Sequence, residues 1–195
     1  MIKPFDFYFD FISPYSFLAH KEMRKIENKT NIKISYKPIL LGGLHNLHGI
    51  KAPAFIPAKA KHMIRDCKLI AERNNVKFKF NSYFPVNSLN LMRGVLVAEE
   101  DNIKNYYIEN VFNTIWQDGL NMNDENIIQK VLKNLNINPK TFGLRITSAL
   151  IKDSLRKITS NAYEKGIFGA PTYVVNNKIF WGQDRIEFAL REASK

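Results

Sequence analysis

The sequence predicts an α/β fold in which a βαβ opening and a ββα close share one sheet around an all-helical middle. Three observations carry this. The first forty residues change from strand-like to helix-like to strand-like patterning, residues 53–166 keep a helical period, and the last thirty return to short β-rich runs before a closing helix. Neither β part could bury both of its faces alone, so the two belong to one sheet. No linker separates them, and 195 residues at 45% hydrophobic content suffice for one packed unit.

The elements follow in order. Residues 5–12, an aromatic run from Phe5 to Ile12, read as the first strand, residues 15–28 as a helix, and residues 32–37 as an alternating second strand. Ala60, Met63, Ile64, Cys67, Ile70 and Ala71 then recur at helical spacing. Helices are expected over residues 89–99 and 103–116, and Asp124 caps another whose apolar face is Ile127, Ile128, Val131, Leu132 and Leu135. Asn138-Pro139 opens a short helix, and Ile151, Leu155, Ile158 and Ala162 mark one more. Residues 172–175 and 179–181 flank Asn176-Asn177-Lys178, a hairpin turn because Asn tolerates positive φ. Residues 183–193 form the closing helix. The expected division gives residues 1–45 and 167–195 to the β-containing part and residues 46–166 to the helical insertion.

Ser13-Pro14-Tyr15-Ser16 stands where the first strand runs into the first helix. Ser is a preferred helix cap, and Pro suits the first helical position because its missing N–H would be an orphan there. The helix start also gathers free N–H groups and the positive end of the helix dipole, which suits an anion. Thioredoxin-type oxidoreductases place Cys-x-x-Cys at such a junction and use the dipole to stabilise a thiolate. Here both cysteine positions are serine. Cys67 is the only cysteine, which excludes an internal disulfide, a dithiol redox cycle and a multi-cysteine zinc site.

The formal charge is +11, yet 21 Lys against 8 Arg are spread along the chain with no long basic run. Readers of nucleic acid favour Arg for its bidentate fork, so a solvated surface with a preference for anionic ligands is the simpler expectation, without a nucleic-acid partner. No window reaches the ~20 apolar residues that cross a bilayer, and no apolar leader stands at Met1-Ile2-Lys3-Pro4, so a cytoplasmic protein without a membrane partner is expected. His45 and His48 read as histidines of a Gly-rich loop rather than metal ligands, since no third ligand lies near. No metal site is expected. Cys67, on the apolar face of its helix, reads as a small buried hydrophobe.

Four segments together resemble one family. Residues 7–19, with Ser13-Pro14-Tyr15-Ser16 at their centre, are similar to the opening of the 2-hydroxychromene-2-carboxylate isomerases and the related kappa-class glutathione transferases. Pro57-Ala58-Lys59, Tyr83-Phe84-Pro85-Val86-Asn87-Ser88-Leu89, and Phe168-Gly169-Ala170-Pro171-Thr172 with Phe180-Trp181-Gly182-Gln183-Asp184-Arg185 match in the same order. The resemblance spans essentially the whole chain and implies a thioredoxin-like fold with an all-helical insertion, of the DsbA and kappa transferase type.

It also implies glutathione as cofactor. Ser13 would meet the glutathione sulfur and, with the helix dipole, lower the thiol pKa from about 8.5 toward neutrality. Ala170 and Pro171 would form a cis-proline loop that offers backbone groups to the cysteinyl part. Gly182, Gln183 and Asp184 would hold the γ-glutamyl end, although Asp184 also suits a plain helix cap. Lys59 would reach the glycyl carboxylate or an acidic substrate, against a solvated surface lysine as the simpler alternative. Trp181 would line the same site or only cover the sheet end. Tyr83, Phe84 and Asn87 would flank the substrate pocket, with core packing the plainer reading for both aromatics. One departure is visible: kappa-class enzymes carry Asn nine residues before the lysine, and this chain has Ile50. The implied activity is a glutathione-dependent isomerisation of a conjugated aromatic-pyruvate, with an acidic, aromatic small molecule as substrate and a homodimer as assembly. The alternatives are a kappa-like transferase or peroxidase, and a non-catalytic module that binds glutathione or an acidic ligand.

Overall fold

The computed structural model describes residues 3–30 and 32–195, so Met1 and Ile2 of the expected opening unit, and Asn31, lie outside the described residues. The elements in chain order are β1 (Phe5–Phe9), α1 (Pro14–Thr30), β2 (Ile34–Pro38), α2 (Leu41–His48), α3 (Pro57–Arg73), α4 (Leu89–Glu100), α5 (Lys104–Trp116), α6 (Glu125–Asn134), α7 (Pro139–Ile146), α8 (Ala149–Glu164), β3 (Thr172–Val175), β4 (Lys178–Trp181) and α9 (Ile186–Ala193). Short 3-10 turns at Pro53–Phe55 and Gln183–Arg185 precede α3 and α9. The sheet order is β2-β1-β3-β4, with β1 parallel to β2 and antiparallel to β3, which pairs antiparallel with β4. This is the thioredoxin arrangement, with helices α2 to α8 between its two halves. Among the described residues no helix is long and apolar enough to cross a membrane.

β1 reads as a nearly continuous aromatic run because both its faces are covered. Phe7 and Phe9 pack with Tyr36, Tyr173 and Phe112 on one side, while Tyr8 joins Ile39, Leu44, Ala162 and Ile167 on the other. Phe112 of α5 lies 4.8 Å from Phe11, and the Trp116 indole N–H donates to the Phe11 carbonyl oxygen at 2.8 Å. The insertion thus shares the sheet's core.

Three sequence expectations need correction. The first strand stops at Phe9 because Asp10 turns the chain, its carboxylate accepting from the Ile12 N–H at 3.0 Å. The segment around His45 and His48 is a helix, α2, rather than a loop. Its first turn holds Gly42 and Gly43, and it ends at Gly49 in the left-handed region with φ 66°. The closing helix begins only at Ile186, because Gly182 at φ 117° and the 3-10 turn come first. The hairpin turn is as read, with Asn176 and Asn177 at φ 47° and 61°.

α1 and α5 are joined by a buried polar chain. The Tyr36 hydroxyl lies 3.1 Å from His20 Nδ1, and His20 Nε2 lies 2.6 Å from Glu109 Oε2, an arrangement that fits the Nε2–H tautomer. Lys21 also pairs with Glu109. Burial lowers the His20 pKa and keeps the ring neutral. Burial alone would raise Glu109, but hydrogen bonds from His20 and Lys21, with the Lys21 charge, outweigh it and hold the carboxyl well below the usual range. In both cases the unfolded chain binds the extra proton, so stability falls with pH, first below about 6.5 from His20 and then below about 4.5 from Glu109. Glu109→Gln is expected to lose about 1–3 kcal/mol at neutral pH and to flatten the decline below pH 4.5, read by urea unfolding across pH. An unchanged acid limb in the variant would show that the network does not set acid stability.

Candidate active site

Ser13 ends the turn after β1 and caps α1. Its side-chain oxygen accepts from the Ser16 N–H at 3.1 Å, and its hydroxyl donates to the Ala170 carbonyl oxygen at 3.1 Å across 157 residues of sequence. The residue is 5% exposed. The hydroxyl can rotate, so its proton is held by Ala170 but not locked to it. Ser16, at the second position of the Ser-x-x-Ser motif, is fully buried and its hydroxyl has no partner among the described residues.

The turn that presents Ser13 is fixed from below by Asp10, which sequence reasoning placed inside the strand and did not single out. Asp10 is completely buried, its Oδ1 accepting from Ile12 N–H and its Oδ2 from Leu41 N–H at 2.8 Å, while Ser88 adds a side-chain hydrogen bond. Burial raises its pKa, and these hydrogen bonds work against the rise. The available signal was a carboxylate at the end of an aromatic run, which needs donors if it is buried.

Opposite Ser13, the Ala170–Pro171 bond is cis, the Thr172 hydroxyl donates to the Gly169 carbonyl at 2.7 Å, and the Gly182 N–H donates to the Pro171 carbonyl at 3.0 Å. This joins Ser13, Ala170, Pro171, Trp181 and Gly182 in one corner. The Trp181 indole is 52% exposed and rests on Phe168 with centroids 4.9 Å apart. A Cβ at Gly169 would stand 2.6 Å from its Nε1. Gln183 and Asp184 follow in the 3-10 turn, and the Asp184 carboxylate pairs with the neighbouring Arg185 at 2.9 Å, both half exposed.

Other expected residues sit further out. Lys59, in the first turn of α3, is exposed and forms no ion pair among the described residues. It lies two turns, about 10 Å along the helix, from Asp66, which accepts the Tyr15 hydroxyl at 2.7 Å and so ties α3 to α1. Beside that contact Cys67 is buried, and burial pushes its thiol up to about 12. Phe84 is half buried against Phe80 and Trp116, but Tyr83 is 52% exposed, so core packing holds for only one of the two aromatics. Asn87 is exposed and its side-chain oxygen accepts from the Leu89 N–H at 3.1 Å, opening α4. Ile50 follows the α2 cap and is partly exposed. His48 contacts the Ile167 carbonyl oxygen at 2.9 Å and Tyr163, and no group of three His, Cys, Asp or Glu among the described residues could hold a metal.

The family described as the DSBA-like thioredoxin domain matches residues 5–193. The chain is 29% identical over 190 residues to 2-hydroxychromene-2-carboxylate isomerase of Sphingobium xenophagum, covering 96% of both chains. It is 26% identical over 201 residues to glutathione S-transferase kappa 1 of Rattus norvegicus, covering 93% of this chain and 87% of the other. A solved structure of 2-hydroxychromene-2-carboxylate isomerase superposes with a TM-score of 0.88 at 25% identity, over 98% of this chain and 94% of that one.

The two glycines of this corner differ in what a methyl group would do. Gly182 sits at φ 117°, where its added Cβ would also stand 2.7 Å from Asp184 Oδ1. Gly182→Ala is therefore expected to lose roughly 1–3 kcal/mol in thermal unfolding. Gly169→Ala meets only the movable indole, so it should shift Trp181 fluorescence with little change in melting. Trp116 is fully buried and gives a fixed internal reference. Equal melting of the two variants would contradict the strained backbone at Gly182.

Proposed function

The chain belongs to the family of DSBA-like thioredoxin domains, and on that premise we propose that it is a glutathione-dependent isomerase of the 2-hydroxychromene-2-carboxylate isomerase type, acting on a conjugated aromatic-pyruvate. The observation that carries this reading is the Ser13 hydroxyl at the start of α1, 3.1 Å from the Ala170 carbonyl oxygen, in a chain whose one thiol is elsewhere and inert. A Cys67 thiol pushed up to about 12 stays protonated at neutral pH, so a reactive sulfur must arrive with a ligand.

The residues of the corner fit a tripeptide thiol. Ser13 offers a hydrogen bond at the positive end of α1, Ala170 a backbone edge, Asp184 a carboxylate for an ammonium group, and Lys59 an exposed cation for a carboxylate. Gln183 and Gly182 frame the turn that carries Asp184. Bound glutathione supplies a thiolate that adds reversibly to a conjugated carbon, so that the former double bond can rotate before the thiol leaves unchanged. The Ser13 hydroxyl turns from the Ala170 carbonyl oxygen to the sulfur and, with the helix dipole, favours the ionised thiol. Tyr83 at the surface and Phe84 beneath it offer an aromatic wall to the substrate, and Asn87 stands next to them.

The full-length likeness to a kappa-class transferase supports one second reading, a transferase that joins glutathione to an electrophile. Thiol titre separates the two: an isomerase leaves it unchanged while a conjugated substrate turns over. Ser13→Ala is expected to keep glutathione affinity within a few-fold, because Lys59 and Asp184 hold the ends. It should raise the bound thiol's pKa by about one to two units, since one charge-assisted hydrogen bond is worth about 1.5–3 kcal/mol. The check is thiolate absorbance against pH in the glutathione complex. Superimposable curves for wild type and variant would mean that the helix dipole alone activates the thiol.

A further inference from the structure

α2, α4 and α8 line an open cavity of about 580 Å³, within the size range of small-molecule sites. Its floor is leucine, from Leu40, Leu89 and Leu155, and its rim carries Arg93, Lys152 and Arg156 with no acidic residue in the lining. Lys152 has no ion-pair partner among the described residues, and Arg156 pairs only with Asp153, three residues away on its own exposed helix face. Arg93 donates one N–H to Asn90 at 3.1 Å, while its Nε is buried with no partner among the described residues. A desolvated guanidinium donor without an acceptor is unfavourable, and a planar carboxylate is the group that best matches the guanidinium fork.

None of Ser13, Ala170, Trp181 or Asp184 lines this cavity. Its wall is nevertheless close to the Asp10 clamp in sequence. Leu40 precedes Leu41, and Leu89 follows Ser88, the two residues that donate to Asp10. The Leu40 N–H is itself held by Thr159 of α8 at 3.0 Å, which ties two of the lining segments together.

We propose that this cavity is a second ligand site, for an aromatic carboxylate whose ring lies on the leucine floor and whose carboxylate meets Arg93, Lys152 and Arg156. Apolar floor and cationic rim set the class together: a neutral aromatic gains only the floor, and an inorganic anion only the rim.

The test uses 2-naphthoate and its neutral amide, 2-naphthamide, titrated into the full chain by calorimetry. One equivalent of naphthoate is expected to bind wild type and Ser13→Ala alike, also at saturating glutathione, and at least tenfold more tightly than the amide. The double variant Lys152→Glu and Arg156→Glu changes only exposed side chains and should weaken naphthoate tenfold or more without lowering the melting temperature. The control Lys29→Glu and Lys33→Glu, at the far end of α1 and on the nearby β2 approach, should weaken it less than twofold. Arg93→Met should lose at least as much as the double variant. The proposal is overturned by no binding at millimolar naphthoate, by equal affinity for acid and amide, by a double variant no weaker than the control, or by loss of naphthoate binding when glutathione is added.

Discussion

A single buried carboxylate organises the Ser13 end of this fold. Asp10 gathers donors from its own turn, from the start of α2 and from Ser88 ahead of α4. These three chain segments come from β1, from the crossover after β2 and from the insertion, so one side chain fixes how the insertion docks on the sheet. A carboxylate so completely removed from water is stable only because its oxygens are occupied by donors. Take away one donor and the desolvation penalty falls on the turn that holds Ser13.

The second joint is aromatic. Trp116 reaches from the end of α5 to the Phe11 carbonyl, and Phe112, one turn earlier, stacks among Phe9, Phe11, Phe17 and His20. Phe11 is the residue between Asp10 and Ser13 that points into this cluster. Its carbonyl is satisfied by an indole and its ring by phenylalanines, so the turn is held from the side by packing and from below by charge. Rigidity at the junction keeps the Ser13 hydroxyl within hydrogen-bond reach of the Ala170 carbonyl oxygen, and under the proposed function it would also hold that hydroxyl in place for a ligand's sulfur.

How much of this could be read in the sequence depends on how local the cause is. The Ser13-Pro14 helix start, the Asp124 and Asn138 caps and the Asn176-Asn177 turn are set within a few residues, and the structure has each of them. The helix α2 was hidden because Gly42 and Gly43 carry poor intrinsic propensity. What makes it helical is non-local, the Asp10 and Thr159 acceptors for Leu41 and Leu40 at its start. The thioredoxin-like frame was legible from periodicity. The meeting of Ser13 with Ala170 was suggested by the family likeness of the two motifs, since no local pattern links residues 157 apart. The cationic cavity was not legible at all, because Arg93, Lys152 and Arg156 come from two helices whose packing angle no periodicity reveals.

Position, more than residue identity, decides where sulfur chemistry can occur in this chain. Cys67 carries a thiol but sits among apolar side chains beside Asp66, and burial first, then that negative charge, keep the proton on it. Ser13 carries no thiol but stands at the start of α1, where the positive end of the helix dipole meets a hydroxyl that donates to the Ala170 carbonyl oxygen. A cysteine exchanged into Ser13 would find the stabilisation that Cys67 lacks, and a serine at Cys67 would put a polar hydroxyl into the apolar core. The one thiol of this chain thus lies apart from the helix start at Ser13, which is the separation that the proposed borrowing of a ligand's sulfur requires.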